Sequence, residues 1–324
     1  MITAYCRRPT RLVQTSLGAD DQLPPDAIWV DLAAPTAEER AAVSSWIGVD
    51  LPTRDEMAAI ETSERLYQEG NALVMTALMP MVSRDPDPTA SSMTFVVTKE
   101  RFVSIRHGEP SSIAIAARRL QGENANARSG ADALLVLLDA VADRAADVIE
   151  EASAQFDKVS NLVFGGGLDS RKSSEYQGTI QKIGRIGLTV ARMHDACATL
   201  ERLFIYLTTH ARLVQLTSQQ KAICKALGRD IRSVREHASA LDAKLNFLLD
   251  ATVGLVNLEQ NQIIKIFSVL AVVFMPPTLI ASIYGMNFTQ MPELSWLYGY
   301  PFSLGVMLGS VLLTFLYFRW KKLL

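Results

Sequence analysis

The residues best suited to chemistry in this chain form a short loop, Tyr284-Gly285-Met286-Asn287-Phe288-Thr289-Gln290-Met291-Pro292-Glu293-Leu294. It offers oxygen acceptors of moderate strength, the backbone carbonyl of Gly285 and the side-chain amide of Asn287, with one carboxylate, Glu293, further along. Such acceptors suit a small, hard cation that gives up its water reluctantly and is held as a hydrated species, because a cage of carboxylates would hold it too tightly. Glycine permits a tight backbone turn. The Met286 thioether is soft and fits packing of the loop better than ligation of a hard ion. Glu293 either raises the local cation concentration or is an ordinary solvated acid.

The segments that carry this loop are sharply different from the rest of the chain. From Ile266 to Phe318 there are 53 residues, and Glu293 is the only charged one. Two apolar spans flank the loop, Ile266–Ile283 and Leu297–Phe318, of 18 and 22 residues. Each suffices to cross a hydrocarbon core of about 30 Å. Pro276-Pro277 lies inside the first span, where neighbouring helices and the Thr278 hydroxyl are expected to satisfy the freed carbonyls. Trp296, Tyr298 and Tyr300 at one boundary and Tyr317 and Trp320 at the other resemble interfacial aromatic belts. Gly305 and Gly309 are spaced for close helix contact. Lys265 and Arg319, Lys321 and Lys322 bracket the pair of spans, and the connecting loop has no Lys or Arg. The positive-inside rule therefore places both termini in the cytoplasm and residues 285–296 outside.

Residues 1–265 carry 29 Lys+Arg and 33 Asp+Glu, so the region before the spans has a net charge of −4. That balance lacks the basic patch that nucleic acid demands. Cys6, Cys197 and Cys224 are odd in number and distant, without a CxxC pair, and fit reduced cytosolic thiols. Residues 1–125 read as an α/β domain: a strand at Ala27–Leu32, a helix capped by Thr36 with Glu39 at its third position, and a second helix capped by Thr53. Ala72–Val82 is strand-forming, Asp85–Pro88 is a loop, and Met93–Val97 with Phe102–Arg106 form a hairpin around Lys99-Glu100.

From Ser111 to Met275 there is no proline in 165 residues. Long helices are expected over Ala131–Phe164, broken by Gly165-Gly166-Gly167, over Ser170–Leu216, and from Ser218 to Tyr284. The last would be a rod of roughly 100 Å, a stalk that enters the membrane. The domain expectation is thus 1–125 for the cytoplasmic α/β domain and 126–216 for long helices. Residues 217–284 form the stalk with the first span (266–283), 285–296 the outer loop, 297–318 the second span and 319–324 a basic tail. The fold class is α+β with a helical membrane portion.

Between its two terminal spans the chain has Gly285-Met286-Asn287 and, shortly after, Met291-Pro292-Glu293-Leu294. On these motifs it resembles the CorA family of magnesium channels, the two-span, Gly-Met-Asn superfamily. Ala27–Arg65 and Asn257–Leu324 look most like its enterobacterial branch, whereas the middle helices match only in general character. The resemblance implies a homopentamer in the cell inner membrane that admits magnesium, with cobalt and nickel as further ions, and has no organic cofactor. Gly285, Met286 and Asn287 would be its selectivity filter, and Glu293 would become a ring of charge in a symmetric oligomer.

Counted back from Asn287, the family's pore-facing positions fall on Thr278, Met275, Phe267, Ile264, Asn261 and Asp250. Their steps of 3, 8, 3, 3 and 11 fit one helix face. Thr278 and Asn261 would hydrogen-bond hydrated ions, Met275, Phe267 and Ile264 would form an apolar gate, and Asp250 an acidic mouth. The resemblance also implies closure by intracellular magnesium bridging acids of neighbouring subunits. The stalk acid of such members falls on Ala226 here, which leaves Asp230 as the nearest candidate and Asp242 further along.

Two other readings remain: a zinc transporter of the same superfamily, or a membrane-anchored scaffold or sensor without transport. The zinc branch commonly departs from methionine at the centre of the motif and lacks Met-Pro-Glu-Leu, so Met286 and Pro292-Glu293 favour magnesium. An enzyme is not expected. His107, His194, His210 and His237 show no i, i+3 or i, i+4 pairing, and there is neither a nucleophile elbow nor a phosphate-binding loop.

Overall fold

The structure is a computed structural model that describes residues 1–8, 11–18, 21–59, 61–80, 92–122, 127–165, 173–286, 291 and 296–321. The chain divides into two units, Met1–Asp169 with Gln177–Leu249, and Ser170–Tyr176 with Asp250–Leu324.

The first unit is built on a seven-stranded sheet: β1 (Ile2–Arg7), β2 (Leu12–Leu17), β3 (Ala27–Ala33), β4 (Leu66–Glu69), β5 (Ala72–Leu78), β6 (Ser92–Val97) and β7 (Phe102–Arg106). The spatial order is β2-β1-β3-β7-β6-β5-β4. Only β3 and β7 run parallel, Val30 opposite Val103; the other neighbours are antiparallel. The hairpin around Lys99-Glu100 is present, with Val97 paired to Phe102. Asp85–Pro88 and the end of the stretch expected at Ala72–Val82 lie outside the described residues.

Alternation along the strands sends apolar side chains to both faces. One face packs Ile2, Val30, Leu32, Val74, Val96 and Val103 with Val43, Ile47 and Met57, which come from α1 (Ala37–Ile47) and α2 (Arg54–Met57). Thr36 and Thr53 each close a capping box, with Glu39 and Glu56 respectively. Such a cap contributes about 1 kcal/mol. The opposite face carries an aromatic row across four adjacent strands: Tyr5 stacks on Trp29 at 4.1 Å, Trp29 on Phe102 at 6.0 Å and Phe102 on Phe95 at 6.3 Å. Beside it, Trp29 Nε1 donates to Ser104 Oγ (2.9 Å), Ser104 Oγ to Asp31 Oδ1 (2.6 Å), and Arg106 Nε to Asp31 Oδ2 (3.0 Å). Burial pushes the Asp31 carboxyl up, against the pull of Arg106 and Ser104.

Over this second face lie α4 (Ser111–Gln121), α5 (Gly130–Phe164), part of α6 (Ser173–Thr209) and the first turns of α7 (Ser218–Tyr284). A further short helix, α3 (Thr62–Arg65), precedes β4. The start of α5 is fixed twice. Ser129 and Asp132 form a capping box, and Gly130 N donates to Glu100 O at 2.9 Å. Asp132 Oδ1 also accepts from Gln220 Nε2 at 2.7 Å, which ties the beginning of α7 to that of α5.

The helix expected over Ser170–Leu216 is shorter. It ends at Thr209 and gives way to turns, with Gln215 at φ +52°. The Thr208 and Thr209 hydroxyls donate to the carbonyls of Phe204 and Ile205, and the turns beyond are closed by Leu213 N to His210 O at 3.0 Å and Leu216 N to Ala211 O at 2.9 Å. Thr217 and Gln220 then bond reciprocally and open α7, which runs to Tyr284 as one helix of 67 residues.

In the second unit α7 continues from Asp250, and α8 spans Gly299–Trp320, two residues later than expected at each end. Both helices are long and apolar enough to cross a membrane. Pro276 and Pro277 lie inside α7 without interrupting it. The Thr278 hydroxyl donates to Phe274 O at 2.7 Å. This differs from the expected compensation: the carbonyls deprived of a partner by the two prolines are those of Val272 and Val273, four residues back.

Candidate functional site

The motif loop begins where α7 ends. Gly285 N donates to Ala281 O at 2.9 Å and Met286 N to Ile283 O at 3.2 Å, so the last turn tightens as the helix stops. The glycine sits close to the preceding turn and does not adopt a left-handed backbone. A Cβ on Gly285 would stand 3.1 Å from Ala281 O and 3.7 Å from Ser282 O. Met286 is exposed. Asn287 and Glu293 lie outside the described residues.

Below Gly285 a single helix carries the six positions expected to face a pore. At 100° per residue, Asp250, Asn261, Ile264, Phe267, Met275 and Thr278 fall within an arc of about 120°. From Asp250 to Thr278 they extend along roughly 40 Å of helix. Met275, Phe267 and Ile264 are 66 %, 65 % and 61 % exposed, and Thr278, Asn261 and Asp250 are exposed as well. The exposure is not confined to this arc: Leu279, Phe274 and Ile266 are uncovered too. Within Ile266–Ile283 only the stripe of Val269, Val273, Pro276, Pro277 and Ile280 is partly covered, and an apolar helix otherwise so open requires lipid or other copies of the chain around it.

In α8, a Cβ on Gly305 or Gly309 would meet nothing within 4 Å, so among the described residues the pair makes no close helix contact. At the start of α8 the Trp296 ring meets Tyr298 at 6.3 Å and Phe302 at 5.6 Å. At its end Lys321 Nζ lies over the Trp320 ring at 5.8 Å.

The two acids considered for regulation are on α7 in the first unit and are not brought together. Twelve positions separate Asp230 from Asp242, about 18 Å along the helix. Asp230 is exposed and close enough to Asp139 of α5 to influence it. Burial and then Asp143 push the Asp139 carboxyl up, and Arg119, bonded to both acids at 2.6 and 2.7 Å, pulls it down. Asp242 accepts from Asn246 Nδ2 at 3.2 Å. With His194 and Asp195 it lines a cavity of about 280 Å³ between α6 and α7. Among the described residues no group of three or more His, Cys, Asp or Glu side chains could hold a metal ion. Ligation by Asp230 or Asp242 therefore needs donors from another copy or from water.

One contact near the apolar span has no signature in the sequence. Tyr176 Oη donates to Glu259 Oε1 at 2.6 Å within the second unit, which pushes the Tyr176 hydroxyl up to about 12. The partners are 83 positions apart.

Comparison with known proteins bears on the whole chain. The family model described as "CorA-like Mg2+ transporter protein" matches residues 25–322. The chain is similar to a "Magnesium transport protein CorA" of Haemophilus influenzae, 30 % identical over 322 residues and covering 99 % of both chains. It is 32 % identical over 322 residues to the protein of the same name from Yersinia pseudotuberculosis, again with 99 % of both covered. Among solved structures, the complete structure of the CorA magnesium transporter from Methanocaldococcus jannaschii superposes with a TM-score of 0.73 at 18 % identity, over 98 % of this chain and 97 % of that one.

Proposed function

The chain belongs to the CorA-like Mg2+ transporter family, and from that premise we propose that it conducts magnesium across the cell inner membrane as a homopentamer. The observation that carries this reading is the unbroken passage of α7 from Asp250 to the Gly285 cap, with six side chains of graded polarity on one face. A two-span chain cannot enclose a pore alone. Copies of α7 around a common axis would turn those side chains inward, and the exposed apolar faces of α8 would meet lipid.

In this arrangement hydrated magnesium is drawn toward the ring of Glu293 carboxylates and held by the Asn287 amide and the Gly285 carbonyl, while Met286 packs the loop. It then passes Thr278, Met275, Phe267, Ile264 and Asn261 to leave at Asp250. Cobalt and nickel, hydrated ions of similar charge, follow the same path. The narrow apolar stretch from Met275 to Ile264 gates by dewetting. Closure comes when intracellular magnesium bridges Asp230, or Asp242, to a neighbouring copy. Both termini lie in the cytoplasm, on the strength of Lys265 and Arg319, Lys321 and Lys322 flanking the spans.

Purified protein in vesicles loaded with a magnesium-sensitive dye tests this directly. A wild-type influx driven by the magnesium gradient is expected. Absence of influx contradicts the reading and leaves a scaffold or sensor. Zinc uptake that moves protons and ignores magnesium would place the chain in the zinc-transporting branch instead.

A further inference from the structure

The last turn of α8 presents a compact set of donors to its surroundings. Tyr317, Trp320 and Lys321 stand at i, i+3 and i+4, and so share one face of the helix. All three are exposed, and Lys321 Nζ is held over the Trp320 ring at 5.8 Å, the geometry of a cation–π contact. Arg319 is exposed on the same turn, two residues from Tyr317 and so on the adjoining face. Neither Arg319 nor Lys321 forms an ion pair among the described residues. The local sequence is poor in acids: after Glu259 the only acidic side chain is Glu293, which precedes α8, whereas Lys265, Arg319, Lys321 and Lys322 are all basic.

Such a face matches one partner, a phosphate-bearing lipid at the membrane surface. Tyr and Trp settle at headgroup depth, where a phenol O–H and an indole N–H reach polar atoms while the rings stay in the acyl boundary. The ring of Trp320 keeps the Lys321 ammonium at that depth. A guanidinium offers parallel N–H donors to phosphate oxygens. The cytoplasmic leaflet is the anionic one.

We propose that the Tyr317–Trp320–Lys321 face of α8 is a binding site for the headgroup of an anionic phospholipid in the cytoplasmic leaflet, with Arg319 adding charge from the adjoining face of the same turn. The proposal rests on the membrane orientation set out above.

The test uses the full chain, purified in mild detergent and exposed to mixed micelles of phosphatidylglycerol and phosphatidylcholine. The lipid that stays bound is quantified by mass spectrometry. Wild type is expected to retain phosphatidylglycerol about 25-fold over phosphatidylcholine, two cations at about five-fold each. Lys321→Gln should lower that preference roughly five-fold, and the pair Arg319→Gln and Lys321→Gln by more, since each cation near a membrane surface accounts for about that factor. Trp320→Leu, which removes the ring and the N–H but no charge, should weaken it by a smaller factor. Equal retention of the two lipids by wild type, or an undiminished preference in the double variant, overturns the proposal. Displacement of the bound lipid by millimolar inorganic phosphate also overturns it, because the site would then be one for free anions. Magnesium influx in phosphatidylcholine vesicles is measured alongside. Lost influx with intact lipid preference sinks the transport reading alone, and lost preference with intact influx sinks this one alone.

Discussion

The hydroxyl of Tyr176 donates to Glu259 Oε1 at 2.6 Å, and Glu259 lies seven residues before Ile266, where the first apolar span begins. The bond fastens the first turn of α6 to α7 immediately below that span. A hydrogen bond to a charged acceptor is worth about 1.5–3 kcal/mol. Tyr176→Phe should therefore raise amide exchange in the first turns of α6 by a factor of ten or more. Glu259→Gln should do so less, because the neutral amide still accepts. Hydrogen exchange of the purified protein reads both, and unchanged protection in Tyr176→Phe would show that other contacts fix this end of α6.

Gly130 sets the position of α5 on the sheet. A Cβ there would stand 2.3 Å from the Arg101 carbonyl carbon, 2.6 Å from its oxygen and 2.7 Å from Phe102 N, all of them backbone atoms that cannot swing aside. Gly130→Ala should cost about 3 kcal/mol through displacement of the helix start. In a unit of this size that lowers the melting temperature by roughly 6–12 °C. An unchanged melt would contradict the packing described for the α5 start.

The three thiols are buried, and burial pushes Cys6 up and both Cys197 and Cys224 up to about 11. In an unfolded chain a thiol ionises near 9, so between pH 9 and 11 the folded state holds protons that the unfolded state has lost. Stability is therefore intact below pH 9 and falls as pH rises through 11, by on the order of 2–3 kcal/mol for each of Cys197 and Cys224. The double variant Cys197→Ala and Cys224→Ala should show a shallower alkaline loss of stability in melts from pH 8 to 11. Native protein at pH 7.5 should also resist iodoacetamide, and denatured protein should take up three labels. Rapid native labelling would mean that these core positions open readily.

Asp230 tests the regulatory part of the account. The acid is exposed on α7 near Asp139 and belongs to no cluster of metal ligands among the described residues. If it holds a magnesium ion with a neighbouring copy, Asp230→Asn should raise the internal magnesium needed for half-closure several-fold and leave the initial influx rate alone. The same titration on Asp242→Asn separates the two candidates. Closure unchanged in Asp230→Asn removes that residue from the mechanism.

Much of this architecture is legible because its determinants are local. Thr36 with Glu39 and Thr53 with Glu56 announce helix starts within four residues, and both boxes are present. The proline-free run and the pair of apolar spans define α7 and α8 to within two residues at each end. Strands β1, β2 and β4 have weaker patterns, since β2 and β4 are edge strands with polar, exposed positions, and the alternation does not single them out. The early end of α6 leaves no mark in the sequence, since residues 210–217 hold neither Gly nor Pro and yet turn, with Gln215 at φ +52°. Gly130 reads in sequence as an ordinary glycine, and only the approach of Arg101 gives it a role. Tyr176 and Glu259 are joined across 83 positions, beyond the reach of any periodicity. For the six α7 positions proposed to face a pore, the sequence supplies the helical spacing, while an inward direction of that face depends on an assembly of several chains.

The most direct test of the central claim compares initial magnesium influx into dye-loaded vesicles for wild type and Asn287→Ala at equal protein density. The account predicts that wild type conducts and that Asn287→Ala is slower by at least ten-fold, because the amide that holds the hydrated ion at the outer end of α7 is gone. Equal rates for the two proteins would contradict it.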